Sequence, residues 1–307
     1  MPRLIKPRAI DPGATFGIAA PGGPVDPDKL AAGCEGLRDA GFRVVCRDDL
    51  TARHGYLAGD DARRAAELME LVADPAVDAI LCARGGYGCD RILDALDPLA
   101  FRTARKPLVG FSDITALLLW QRRCAGLSGF HGPMLERGEE IDADAQALLW
   151  SELCGTAPLP GILRGAGRLP GVAQGRITGG NLMLVTASIG TCWEIDTRGA
   201  ILLVEEVSER PYRIDRMLQQ LRGAGKLEGL AGIGTGDLST CVDERYPRPC
   251  AEEVFEELAA RIGVPLVTGL PFGHVRENRA WPLGVRATID GDRGEIRILE
   301  QGVTRSS

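Results

Sequence analysis

The first 150 residues alternate between two patterns that force a layered architecture. Short, uninterrupted apolar runs occur at residues 15–20, 43–46, 79–83 and 107–111. Helical periodicity fills the intervals. In residues 60–73, Ala65, Leu68, Met69 and Val72 recur at i, i+3, i+4 and i+7, Asp60 or Asp61 can cap the start, and Pro75 follows the end. Residues 28–40 carry the stripe Leu30, Cys34 and Leu37, with Gly41 as a stop. A strand that is apolar on both faces needs cover on both faces. Helices alternating with such strands supply it, so the pattern predicts an α/β domain built on a parallel sheet.

Residues 155–175 contain nine Gly or Pro in 21 positions. That density disfavours a helix or a central strand and predicts a linker over 155–176. It divides the chain into a first domain, 1–154, and a second, 177–307. The second domain is mixed. Residues 201–204 read as a buried strand, 212–221 as a helix with Ile214, Met217, Leu218 and Leu221 on one stripe, and 252–262 as another helix. Residues 285–289 and 295–299 alternate like strands joined by the turn Asp290-Gly-Asp-Arg-Gly294.

Composition narrows the function classes. The 307 residues carry a net charge of −6, without the basic surplus of a nucleic-acid binder. No apolar run approaches the ~18–20 residues that span a bilayer, so no membrane partner is expected. Aromatic residues are only 5%, which disfavours a stacking platform for bases or a broad sugar-binding face. Nine cysteines is an odd number with no Cys-x-x-Cys spacing, and Cys34, Cys82 and Cys124 sit in apolar contexts. Buried free thiols in a reducing compartment are the expectation. Residues 1–8 are basic but lack the apolar stretch of a secretory signal, which points to the cytoplasm.

The chain has three histidines, His54, His131 and His274. None is paired at the short spacings that zinc sites use, so neither a catalytic metal nor another cofactor is expected, and only an all-carboxylate site stays open. Four segments can carry chemistry. At Pro107-Leu-Val-Gly-Phe-Ser112, a buried strand runs into a helix that begins at Asp113, which places Ser112 on a sharp turn. Such a turn exposes a hydroxyl beside the free N–H groups of a helix start, although Ile114 stands where a Gly-x-Ser-x-Gly motif has its second glycine. A helix N-cap fits the same serine. The glycines of Ala83-Arg-Gly-Gly-Tyr-Gly88 let backbone N–H groups approach an anion or oxyanion, or simply form a tight turn. Glu205 and Glu206 end a buried strand, and adjacent strand residues face opposite sides, so only one can point at a given site. His274 lies in a Gly/Pro-containing loop, placed either as a functional group or as a structural one. Together these offer a nucleophile, a carboxylate and a base.

An ordered set of motifs extends the argument. Gly17-Ile-Ala-Ala-Pro-Gly22, Ala83-Arg-Gly-Gly-Tyr-Gly88, Gly110-Phe-Ser-Asp-Ile-Thr115, Gly179-Gly-Asn-Leu182, Glu205-Glu-Val-Ser-Glu209, Pro211-Tyr-Arg-Ile-Asp-Arg216 and Pro271-Phe-Gly-His274 run along nearly the whole chain. In that order they resemble the LD-carboxypeptidases, or muramoyltetrapeptide carboxypeptidases. The resemblance implies a cytoplasmic, metal-independent serine peptidase, often a homodimer, with an N-terminal α/β domain and a C-terminal β-rich α+β domain. It places the nucleophile on Ser112, the base on His274 and the carboxylate on Glu205, with Glu206 as fallback. The N–H groups of Asp113 and of Gly85 or Gly86 would hold the oxyanion. Arg84 is the first candidate to read the substrate's C-terminal carboxylate, with Arg213 or Arg276 as alternatives. The implied substrate is a murein tetrapeptide that loses its terminal D-Ala. A microcin-immunity-type hydrolase of peptide-nucleotides, with the same triad, is the alternative. The chain departs from the family at Trp193, away from the triad. Since Ser112 and His274 fall on different domains, the site is expected in the cleft between them.

Overall fold

The computed structural model describes residues 4–136 and 142–305. Strands β1 (Thr15–Ala19), β2 (Arg43–Val45), β3 (Ala79–Cys82), β4 (Leu108–Gly110) and β5 (Phe130–His131) pair in parallel. Helices α1 (Pro27–Asp39), α2 (Asp61–Ala73), α3 (Pro98–Ala104) and α4 (Ile114–Trp120) alternate with them. Local chemistry sets the ends. The Asp26 carboxylate accepts from the N–H groups of Asp28 and Lys29 to start α1, and that of Asp60 accepts from Arg63 N to start α2. Gly41, at φ +88°, turns the chain out after α1. Ala65, Leu68, Leu71 and Val72 form the buried face of α2. After Gly88 the chain forms a short 3-10 helix, Asp90–Ala95.

The second sheet has eight strands in the order β6-β14-β13-β8-β9-β10-β11-β7. They are β6 (Gly161–Arg164), β7 (Ala166–Leu169), β8 (Val172–Asn181), β9 (Ala200–Glu205), β10 (Gly232–Thr235), β11 (Leu266–Thr268), β13 (Arg286–Asp290) and β14 (Glu295–Ile298). The central strands β8, β9, β10 and β11 are parallel and the outer ones antiparallel. Helices α6 (Leu182–Ala187), α7 (Pro211–Gly223) and α8 (Ala251–Ile262) belong to this half, and α5 (Ala143–Leu153) lies between the two sheets in sequence. Among the described residues no helix is long and apolar enough to cross a membrane.

Two features differ from the sequence reading. The segment 155–176 is not a free linker: it forms β6, β7 and the start of β8. Its prolines, Pro158, Pro160 and Pro170, all lie outside these strands, and β6 and β7 are the two edges of the sheet, where interrupted strands are tolerated. In addition, β12 (Trp281–Pro282) leaves the second half and pairs antiparallel with β5, closing the edge of the first sheet.

One apolar core joins the halves. Phe111, Ile114 and Leu117 share it with Ile177, Leu182, Val185 and Leu202. The contact is close because β8 ends in glycines. A Cβ on Gly180 would collide with the Thr115 side chain, and Asn181 N donates to Thr115 Oγ1 at 3.0 Å. The helix that follows Ser112 is thereby held against the strand next to the one that ends in Glu205.

Candidate active site

Ser112 sits between β4 and α4 with φ +59°, a left-handed conformation that non-glycine residues seldom adopt. The chain therefore makes a sharp elbow from strand to helix. Gly110 makes this possible without a second glycine, because a Cβ there would stand 2.7–2.9 Å from Ile114 side-chain carbons. Ile114 fills the space that Gly110 leaves.

Two glycine loops close around this elbow. A Cβ on Gly85 would lie 3.0 Å from Ser112 Cβ and 3.1 Å from its Oγ, so the missing side chain is what lets the loop reach the hydroxyl. Gly86, at φ +100°, packs on Gly23, and Gly23 N donates to Gly85 O at 2.7 Å. Buried charge braces both loops. Arg64, fully enclosed, donates to Pro21 O, to Gly88 O at 2.7 Å and to the Asp61 carboxylate. Glu67 Oε2 accepts from Ala20 N at 2.6 Å, and Asp113 Oδ2 accepts from Cys89 N at 2.9 Å. Burial pushes both carboxyls above their ordinary range.

From the other half, His274 Nδ1 stands 2.7 Å from Glu205 Oε2. The Glu205 side chain is wholly buried at the end of β9. Gly273, at φ +103°, allows this approach, since a Cβ there would lie 2.8 Å from Glu205 Cβ. Its N–H donates to Asn278 Oδ1 at 2.9 Å and fixes the loop. The imidazole packs edge-on against Phe111, with centroids 4.9 Å apart, beside the serine. Ser112, His274, Gly85, Gly86 and Arg84 all line one open cavity of about 630 Å³.

Glu206 points elsewhere. Its carboxylate accepts from Asn181 Nδ2 at 3.0 Å, Met183 N at 2.9 Å and Val207 N at 2.9 Å, and so secures the start of α6. Arg84 donates to Pro24 O at 2.9 Å and pairs with Glu136 at 3.3 Å. Neither Arg213 nor Arg276 lines the cavity, and Arg213, on α7, faces Glu209 just before that helix. His131 is enclosed in the core, stacked on Trp281 at 4.8 Å, and burial pushes its pKa down to about 3. Lys29 and Arg53 also line the cavity, with Asp26 and Glu136. No pattern in the sequence singles them out, because they are exposed residues brought to the cleft by the fold alone. Among the described residues no group of three or more His, Cys, Asp or Glu side chains is arranged to hold a metal ion.

Two family models match the chain in order, the LD-carboxypeptidase N-terminal domain over residues 16–132 and the LD-carboxypeptidase C-terminal domain over residues 174–289. The chain belongs to the LD-carboxypeptidase family. The probable murein peptide carboxypeptidase of Bacillus subtilis is 37% identical, covering 98% of this chain and 96% of that one. The solved muramoyltetrapeptide carboxypeptidase of Oxalobacter formigenes superposes with a TM-score of 0.83 at 30% identity, over 95% of this chain and all of that one. The microcin C7 self-immunity protein MccF, solved with glutamyl sulfamoyl guanosine, superposes with a TM-score of 0.86 at 24% identity, over 97% of this chain and 99% of that one. That last likeness is one of fold. Ser112 follows β4 of the first sheet, Glu205 ends β9 of the second, and His274 lies in the loop between β11 and β12.

Proposed function

We propose that the protein is a serine LD-carboxypeptidase that removes the C-terminal D-Ala from murein tetrapeptides during cell-wall recycling. Ser112 Oγ attacks the carbonyl carbon of the L,D-amide while His274 Nε2 takes its proton. Glu205 accepts from Nδ1–H, fixes the tautomer and stabilises the imidazolium. The N–H of Asp113 and that of Gly85 or Gly86 receive the oxyanion, each such donor typically worth about 10²–10³ in turnover. The imidazolium gives its proton to the amine of the leaving D-Ala. Water, deprotonated by His274, then cleaves the acyl-serine and restores the hydroxyl. Arg84, with Lys29 and Arg53 beside it in the cavity, reads the free carboxylate. No step calls on a metal. A homodimer in the cytoplasm completes the reading.

The observation that carries the proposal is the pair formed by buried Glu205 and the partly exposed His274, whose ring opens onto the cavity that Ser112 lines. The test is incubation of purified protein with a murein tetrapeptide and mass analysis for loss of one alanine. The Ser112→Ala variant should keep its circular-dichroism spectrum and lose nearly all release. Unchanged release would overturn the assignment. The likeness to MccF favours one second reading, hydrolysis of an aminoacyl sulfamoyl nucleoside. Parallel incubation with that substrate class separates the two.

A further inference from the structure

Two of the cysteines, distant in sequence, meet on the surface where the two halves join. Cys124 lies in the π-helical turn Gln121–Ala125 that continues α4, and Cys192 lies in the turn after α6. Cys124 Sγ donates to Cys192 O at 3.6 Å, and the neighbouring Cys192 side chain adds to the upward push on the Cys124 thiol. Cys192 is exposed and Cys124 half-buried against the core. The turn that carries Cys192 is firmly held. Gly190 N donates to Glu194 Oε2 at 2.6 Å, Ile195 N donates to Ser188 Oγ at 3.1 Å, Trp193 is buried, and Lys226 pairs with Glu194. The thiol is thus presented to its partner rather than swept through solvent.

We propose that Cys124 and Cys192 are a modification site, an oxidisable pair that closes into a disulfide between the two halves of the molecule. A peroxide meets the exposed Cys192 first. Its sulfur takes one peroxide oxygen and becomes a sulfenic acid, and the other oxygen leaves as water or an alcohol. The Cys124 sulfur then attacks the Cys192 sulfur, the S–O bond breaks, and the departing hydroxyl leaves as water with the Cys124 proton. Two electrons pass from the thiols to the peroxide, and a dithiol reductant reverses the change. Burial, with Cys192 alongside, pushes the Cys124 thiol up to about 11. The closing step therefore quickens as pH rises toward that value.

The bond would tie the far end of the Ser112 helix to the turn beyond α6. Ser112 stands about three helical turns from Cys124, roughly 18 Å at 1.5 Å per residue. The disulfide would then lock the halves together without entering the cavity. It raises the unfolding temperature and leaves hydrolysis by Ser112 intact.

The experiment is limited peroxide treatment of the full chain, followed by non-reducing peptide mapping. The expected result is a Cys124–Cys192 cross-linked peptide two hydrogens lighter than its reduced parts. It should disappear in Cys192→Ser and Cys124→Ser, and it should form faster at higher pH. The oxidised wild type should melt at a higher temperature than its dithiol-reduced form, and neither serine variant should show that shift. The exposed Cys250 is the control for undirected oxidation. Oxidation confined to Cys250, or a Cys192 sulfinic acid with Cys124 still a free thiol, would overturn the proposal.

Discussion

His274 Nδ1 lies 2.7 Å from Glu205 Oε2, and the Glu205 carboxylate is out of reach of solvent. That single contact joins the end of a central strand to a loop held by Gly273 and Asn278. It orients the ring so that Nε2 is the nitrogen left for chemistry. Glu205→Gln keeps the shape and removes the charge that favours this tautomer. The expected loss in kcat approaches about 10⁴-fold, with the melting temperature changed far less than the rate. Glu206→Gln is the contrast. It weakens the start of α6 by about 1–3 kcal/mol, read by urea denaturation, and leaves kcat per folded molecule near that of the wild type.

Gly85 offers a separate test of the serine's surroundings. Its missing side chain is what lets the loop stand against Ser112, with a Cβ position only 3.0–3.1 Å from the serine Cβ and Oγ. Gly85→Ala should therefore crowd the hydroxyl and displace the loop whose Gly85 or Gly86 N–H is proposed to receive the oxyanion. A loss of about 10²-fold in kcat is expected, with slower labelling by a serine-directed probe and an unchanged circular-dichroism spectrum. Full activity in the alanine variant would remove this loop from the oxyanion site.

Local motifs made much of this site legible. The strand-to-helix turn at Ser112 and the glycine run beside Arg84 are contiguous in sequence, so their chemistry could be read without a fold. The strand alternation told that only one of Glu205 and Glu206 can face the site. It could not tell which, because that depends on Asn181 and Met183 claiming Glu206. Lys29, Arg53 and the Cys124–Cys192 contact are products of tertiary packing and leave no local pattern. The segment 155–176 misled for another reason: glycine and proline report backbone tendencies, and edge strands accept both when the prolines fall outside the paired residues.

Arg84 is tied down by Glu136 and Pro24 O, yet its side chain stays 45% exposed. An ion pair that wet contributes roughly 0–1 kcal/mol, so Arg84→Ala should scarcely change stability. If Arg84 reads the substrate carboxylate, its loss should raise KM for the free-acid tetrapeptide by about tenfold or more, in line with ~1.5–3 kcal/mol for a charged hydrogen bond. The same peptide with an amidated C-terminus should be cleaved equally by wild type and variant. An unchanged acid-to-amide ratio would hand the role to Lys29 or Arg53.

His131 gives the protein an acid-side weakness that arises in the core rather than in the cavity lining, with His274 nearby adding to the same downward push. Both of its ring nitrogens are buried without a hydrogen-bond partner among the described residues, and the ring lies flat on Trp281, 4.8 Å away and tilted by 11°. Burial pushes its pKa down to about 3 from the usual 6.5. The unfolded chain then binds a proton near 6.5 that the native chain refuses until about 3. Stability contributed by neutral burial is complete above the unfolded value and is lost as pH falls between the two. The magnitude is about 1.4 kcal/mol for each pH unit in that window. Glu152, whose carboxyl burial pushes up to about 7, works in the opposite direction between its ordinary 4.5 and that value, so the wild-type profile alone blends the two. His131→Phe keeps a flat ring against Trp281, removes one titration and leaves Glu152 in place. The difference between variant and wild type, read from urea midpoints, should widen in the variant's favour from pH 6.5 toward pH 4 and stay constant above pH 7. Parallel profiles across the whole range would mean that native His131 takes up its proton at the same pH as the unfolded chain and that its burial costs nothing in acid.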